Sequence, residues 1–160
     1  MLEPDPIKRY MALAIASAHE GIQGNHGGPF GACIIDKDQV LATAHNTVIR
    51  DQDATCHAEV NAIRAACRQR RSFDLTGAIL FATSEPCPMC LGAIYWARIR
   101  LLYIGTSVET ASFHGFDDVA FYVDMSRQPE KRSIQTVRDV MIEPCRALFD
   151  EWKLLNRTLY

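Results

Sequence analysis

Two short segments carry residues whose types and spacing suit chemistry: His57-Ala58-Glu59 and Pro86-Cys87-Pro88-Met89-Cys90. Cys87 and Cys90 stand one helical turn apart, so both thiols point the same way and two thiolates can share a borderline metal such as zinc. Each segment opens a predicted helix, whose unpaired N–H groups and dipole favour thiolate over thiol. His57, as a neutral imidazole, would complete a Cys2His set, leaving the fourth tetrahedral position of one Zn2+ per subunit to water or hydroxide. Glu59 lies too close to His57 to be a further ligand; it is placed to take a proton from that water and pass it on, as general base and then general acid. Two other readings stay open. Pro-Cys-x-x-Cys could be a redox pair, which leaves His57 and Glu59 unexplained, or Cys56 or His45 could close the site as a structural zinc centre.

The chain around these segments is an ordinary globular one. Its 160 residues are 48% hydrophobic and 22% charged, enough for a core without disulfide staples. A formal net charge of -2 provides no global basic field for nucleic acid or an anionic membrane, so either role would need a local patch. A mean hydropathy of -0.07, with apolar runs broken by Arg, Asp and Gly, is not that of a membrane span. Six cysteines could form a disulfide framework, but Met1 to Arg9 has neither a signal-peptide nor a transit-peptide pattern. A reducing, cytoplasmic setting is therefore expected, in which Cys33, Cys67 and Cys145 are core thiols.

The elements that must position the two segments can be read from periodicity and punctuation. Asp5-Pro6 starts a helix whose stripe is Tyr10, Leu13, Ala14, Ser17 and Ala18, ended by Gly21 and Gly24. Gly31 to Ile35 and Val40 to His45 flank a polar loop as a β-hairpin. His57 to Arg70 is helical, Ala78 to Thr83 a strand, Pro88 to Arg98 helical and Leu101 to Ile104 a strand; Glu143 to Asn156 forms a last helix. This order predicts one layered α/β domain over residues 1–160, with crossover connections making the later strands parallel. His19 and His26 are read as solvent-facing or structural.

The paired segments resemble the zinc signature of the cytidine/deoxycytidylate deaminase superfamily. Gly27-Gly28-Pro29-Phe30-Gly31, Leu91-Gly92-Ala93-Ile94-Tyr95-Trp96-Ala97-Arg98 and Gly115-Phe116-Asp117-Asp118 are similar to its bacterial guanine deaminase branch. The resemblance implies a three-layer α/β/α sandwich with a central mixed five-stranded sheet, hydrolysis of guanine to xanthine and ammonia, and a homodimer. It also implies that His57, Cys87 and Cys90 bind zinc and that Glu59 shuttles protons. Asn46 and Phe30 would bind the base, Asp118 would act beside the departing amine, and Tyr160 would close the pocket, with residues 143–160 packing over the partner subunit's site. Cys56 departs from the family, which commonly has a small or inert residue before the histidine. The rival enzyme readings are a tRNA adenosine deaminase, with Arg146, Lys153 and Arg157 as a phosphate patch interrupted by Asp150 and Glu151, and a deaminase of another aminated heterocycle or nucleoside. A binding protein with a zinc site is a third, against which Glu59 and the open coordination position count.

Overall fold

Ala32 and Ile34 face one side of strand β1 (Gly31–Asp36) and Cys33 and Ile35 the other, and all four are fully buried, so the strand needs a covering layer on each face. The computed structural model describes residues 4–160 and supplies both layers. Helix α1 (Pro4–Gln23) lays Tyr10 and Ala14 on Cys33, Ile35 and Phe81. On the opposite face, helix α3 (Ala58–Arg70) brings Ala58, Ala62, Ile63 and Ala66 onto Ala32, Ile34, Leu80 and Ala82, joined by Ile94 of helix α4 (Pro88–Trp96). The result is the layered α/β domain that the order of elements predicted, in the α/β/α form that the resemblance implied.

The sheet runs in the order β2-β1-β3-β4, with β2 at Gln39–His45, β3 at Ala78–Ser84 and β4 at Leu101–Thr106. β1 is antiparallel to both neighbours, whereas β3 and β4 are parallel because α4 crosses between them. The hairpin β1–β2 turns at Lys37, which takes a left-handed φ of 54°, and Tyr10 Oη donates to the Asp38 carbonyl to hold the turn on α1. Helix α1 ends at Gln23, directly before Gly24 and within the Gly21–Gly24 stretch that the sequence marked as its end; Gly21 is still helical, and its missing Cβ leaves room for the His45 ring.

Four strands form among the described residues, not the five that the resemblance implied. After β4 the chain enters two short helices, α5 (Val108–Phe113) and α6 (Asp118–Ser126), and then a 3-10 turn at Pro129–Lys131. Residues 132–141 carry Ile134, Val137, Val140 and Met141 without period-two alternation, and pair with no strand. Helix α2 (Val48–Asp51) and both short helices are too brief to show a periodicity in sequence.

The described residues up to Tyr122 form one compact unit and Val123–Tyr160 a second. In the second, the Asp124 carboxylate accepts from the backbone N–H and hydroxyl of Ser133 and from Arg127, and helix α7 spans Ile142–Leu154. Cys33 is a core thiol, pushed up to about 11 by burial, but Cys67 is only half-buried and Cys145 is exposed, so the core reading holds for one of the three. No described helix is long and apolar enough to cross a membrane.

α1 and β1 approach so closely that a Cβ on Gly31 would lie 2.0 Å from the Ala14 carbonyl oxygen, whereas nothing lies within 4 Å of one on Gly92, inside α4. Gly31→Ala should therefore cost about 1–3 kcal/mol or more, lowering the thermal midpoint by roughly 5 °C, while Gly92→Ala should raise it slightly through helix propensity. Scanning calorimetry of both variants checks the opposite signs.

Candidate active site

The N-termini of α3 and α4 meet beside the ends of β1 and β3. His57 is the N-cap residue of α3 and Cys87 that of α4, both with extended backbone, and neither side chain caps its helix. Both are thus available to each other. Pro88 occupies the first turn of α4, where its missing N–H costs nothing, and one turn on Cys90 is fully buried beneath Val60. His57 Nδ1 lies 3.6 Å from Cys87 Sγ and 3.5 Å from Cys90 Sγ, and all three ligand atoms fall within 4.8 Å of one another. They form the only His/Cys/Asp/Glu group of this kind among the described residues.

This donor set fits zinc: two soft sulfurs and one imidazole nitrogen, close enough to surround one ion. The hydrogen bond from Cys90 holds Cys87 far down toward thiolate, assisted by His57, and the same bond, with burial and the Glu59 charge, pushes Cys90 up. His57 is raised chiefly by its contact with Cys87. Glu59, buried in the first turn of α3, accepts from Cys90 Sγ at 3.4 Å, and burial raises its carboxyl. His57, Cys87 and Cys90 therefore form a candidate zinc site.

A cavity of about 260 Å³ opens on this cluster, with His57, Glu59 and Cys87 in its lining. Asn46, immediately after β2, is a buried wall residue: its Oδ1 accepts from Gly28 N at 3.3 Å and Val48 N at 3.1 Å, which fixes the amide orientation and leaves Nδ2 as its remaining donor. Gly27 permits this, since a Cβ there would sit 2.0 Å from Asn46 Oδ1. Phe30 meets Phe116 edge to face at 4.7 Å on another side. Phe116 follows Gly115, whose φ of 91° turns the chain back. Asp118 opens α6 and lines the same cavity; partial burial raises its carboxyl, and the Cys87 charge adds to this. Tyr122, one turn along, anchors α6 by donating to the Pro86 carbonyl at 2.6 Å.

Phe30, Asn46, His57, Glu59, Cys87 and Asp118 therefore share one cavity, with Cys90 buried behind the cluster. Tyr160 is the last residue of the second unit and is exposed there; the cavity is lined by the first unit alone. His45 and Cys56, the alternatives for a fourth ligand, lie outside the ligand group: His45 bonds Ser17 and His26, and the Cys56 thiol accepts from Arg64 at 3.6 Å. Glu85 and Phe116 line the cavity unforeseen. Glu85 sits directly before Pro86, and its Oε2 accepts from Val108 N, tying the cavity to the start of α5. Phe116 stood in the quoted Gly115–Asp118 string, but no local pattern distinguishes it from a surface aromatic.

A family model for the cytidine and deoxycytidylate deaminase zinc-binding region matches residues 4–106. The chain is 38% identical to a guanine deaminase of Bacillus subtilis over 144 residues, 90% of this chain and 92% of that one. A solved guanine deaminase structure from that organism superposes with a TM-score of 0.90 at 36% identity, covering 96% of this chain and 98% of the other. The chain is also 30% identical to a tRNA-specific adenosine deaminase of Buchnera aphidicola over 85% of its length and 86% of that protein's. Site, fold and relatives agree: the chain belongs to the cytidine and deoxycytidylate deaminase family and is a hydrolase acting on carbon–nitrogen bonds.

Proposed function

We propose that the protein hydrolyses guanine, replacing its exocyclic amino group with oxygen to give xanthine and ammonia. The observation that carries guanine over adenine is Asp118 in the same cavity as Glu59 and Asn46. An ionised carboxylate only accepts hydrogen bonds. It suits the N1–H and amino group of guanine, whereas it would face the N1 lone pair of adenine. A buried polar group left unpaired by the wrong ring can discriminate by about 10⁴-fold. Asn46 Nδ2 is a donor for the purine acceptors N7 or O6, and Phe30 with Phe116 offers apolar faces. About 260 Å³ is at the small end of ligand pockets, suited to a single base. The similarity to guanine deaminase over most of both chains supports the same reading.

His57, Cys87 and Cys90 would hold the zinc, which when bound supplies Lewis-acid activation of water at neutral pH. Glu59 takes a proton from the attacking water and delivers it to the ring nitrogen beside the attacked carbon, then helps to protonate the amine as the C–N bond breaks. Asp118 accepts from the amino side and holds the leaving group in line. One water is consumed and one ammonia released.

The assembly we infer is a homodimer in a reducing, cytoplasmic setting, with residues 143–160 of one copy over the partner's cavity and Tyr160 as its lid. The unpaired state of all six cysteines and the exposed Leu148, Phe149 and Leu154 of α7 support this, since a large apolar face calls for a cover. A tRNA adenosine deaminase is the second reading, favoured by the Buchnera relative and opposed by the charge of -2.

Ammonia release measured with guanine, guanosine, adenine, cytosine, cytidine and a tRNA anticodon stem should be fastest with guanine; turnover of the tRNA stem alone would replace this reading with its rival. Glu59→Gln should retain zinc and lose about 10²–10⁴-fold in kcat. Asp118→Asn should lower kcat/KM for guanine at least tenfold without lowering the thermal midpoint; unchanged kinetics would remove Asp118 from the site.

A further inference from the structure

Behind the Asn46 wall two histidines face each other. His26 lies in the loop after α1 and His45 ends β2; His26 Nδ1 is 2.9 Å from His45 Nε2, and the ring planes are within 19° of parallel with centroids 5.1 Å apart, as an edge-to-edge N–H···N bond requires. His45 Nδ1 continues the chain to Ser17 Oγ of α1 at 3.2 Å. Glycines in the last turn of α1 and just after it make room: a Cβ on Gly21 would meet the His45 ring at 2.8 Å, and one on Gly24 the His26 ring at 2.5 Å.

Each histidine is joined to the cavity by its own backbone. The His26 carbonyl accepts from Ile49 N at 3.0 Å and Arg50 N at 2.9 Å, and Gly28, two residues on, donates to Asn46 Oδ1. His45 directly precedes Asn46, and its carbonyl accepts from Asn61 Nδ2 at 3.0 Å, the same amide group that reaches Thr47 Oγ1 and the Cys56 carbonyl. The side-chain bond therefore closes a ring of contacts that includes Gly28, Asn46 and Ile49, all cavity-lining residues. We infer that His26 and His45 are positioning residues for deamination: the N–H···N bond between them holds the loop at 26–28 against residues 45–49 and so aims the Asn46 amide at the substrate. The inference rests on the deaminase reading above.

Such a bond needs one donor and one acceptor nitrogen. A neutral or singly protonated pair satisfies it; a doubly protonated pair puts two donors face to face and breaks it. The charged groups facing the pair are Glu20 of α1 and Arg50 and Asp51 of α2, with Arg64 and Arg68 of α3 lining the same groove as His45. Burial first, then His26 and Arg50, lowers His45 below the usual imidazole range, against the smaller upward pull of Glu20 and Asp51. The second proton thus arrives only on the acid side of the ordinary imidazole range. The bond is intact above that range and is lost as pH falls through it.

The test is KM and kcat for guanine between pH 5 and 8 in the unaltered enzyme, His26→Ala and His26→Asn. His26→Ala should raise KM about tenfold at pH 7.5 with kcat within about twofold, as for loss of one hydrogen bond. In His26→Asn the amide takes the place of the imidazole Nδ1, so KM should recover at pH 7.5 and its acid-side rise should flatten, because one titrating partner is gone. An asparagine variant with the unaltered acid-side rise, or an alanine variant that loses kcat and thermal stability with KM intact, would overturn the inference. Histidine ring ¹⁵N spectra read the pair without substrate: a shared proton at pH 7.5 supports it, and two rings titrating independently refute it even if guanine proves not to be the substrate.

Discussion

Two thiols, an imidazole and a carboxyl, all competing for protons, are held together largely out of water where the N-termini of α3 and α4 meet. Burying four such groups is costly unless each has a partner. The bond between Cys90 and Cys87 draws Cys87 down toward thiolate and pushes Cys90 up. The helix N-termini ease the negative charge, and His57, Cys87 and Cys90 would hold a zinc ion that relieves the competition, with the Glu59 carboxyl outside the ligand set. This requirement accounts for the strand arrangement around it. α3 must pack on β1 and β2 and α4 must follow β3, so that two separate stretches of sequence deliver their first turns to one point.

The cavity wall formed by Asn46 is built by close backbone approach. Gly27 against Asn46 and Gly31 against Ala14 let the loop after α1 lie flush with β1 and β2. The Asn46 amide is then fixed by two backbone donors instead of by side chains that could move. Asp118 reaches the cavity by another route, through α5, the turn at Gly115 and the Tyr122–Pro86 bond. The proposed metal ligands, base-binding amide and second carboxylate thus hang on different elements that the fold brings to one cavity.

The ligand group was legible because a helical turn is a local rule: Cys87 and Cys90 had to share a face, and His57 with Glu59 opened a second helix. The strands were legible where both faces are covered, as in β1 and β3, since fully buried strands read as apolar runs. Glu85, Phe116 and Tyr122 were not legible, because their roles depend on α5 and α6, helices too short to leave a period. Nor was the contact of His26 with His45, which depends on how α1 lies over the hairpin. The expected fifth strand came from resemblance alone, and residues 132–141 lack the alternation that would have supported it. Cys145 was placed in the core by composition, a rule blind to which face of α7 it occupies.

The most direct test of the central claim is the zinc K-edge X-ray absorption spectrum of the purified protein. The expected result is two sulfur scatterers at about 2.3 Å with two nitrogen or oxygen scatterers at about 2.0–2.1 Å, the signature of His57, Cys87 and Cys90 with one position open to solvent. A shell of three or four sulfurs, or protein that holds no zinc, would contradict it.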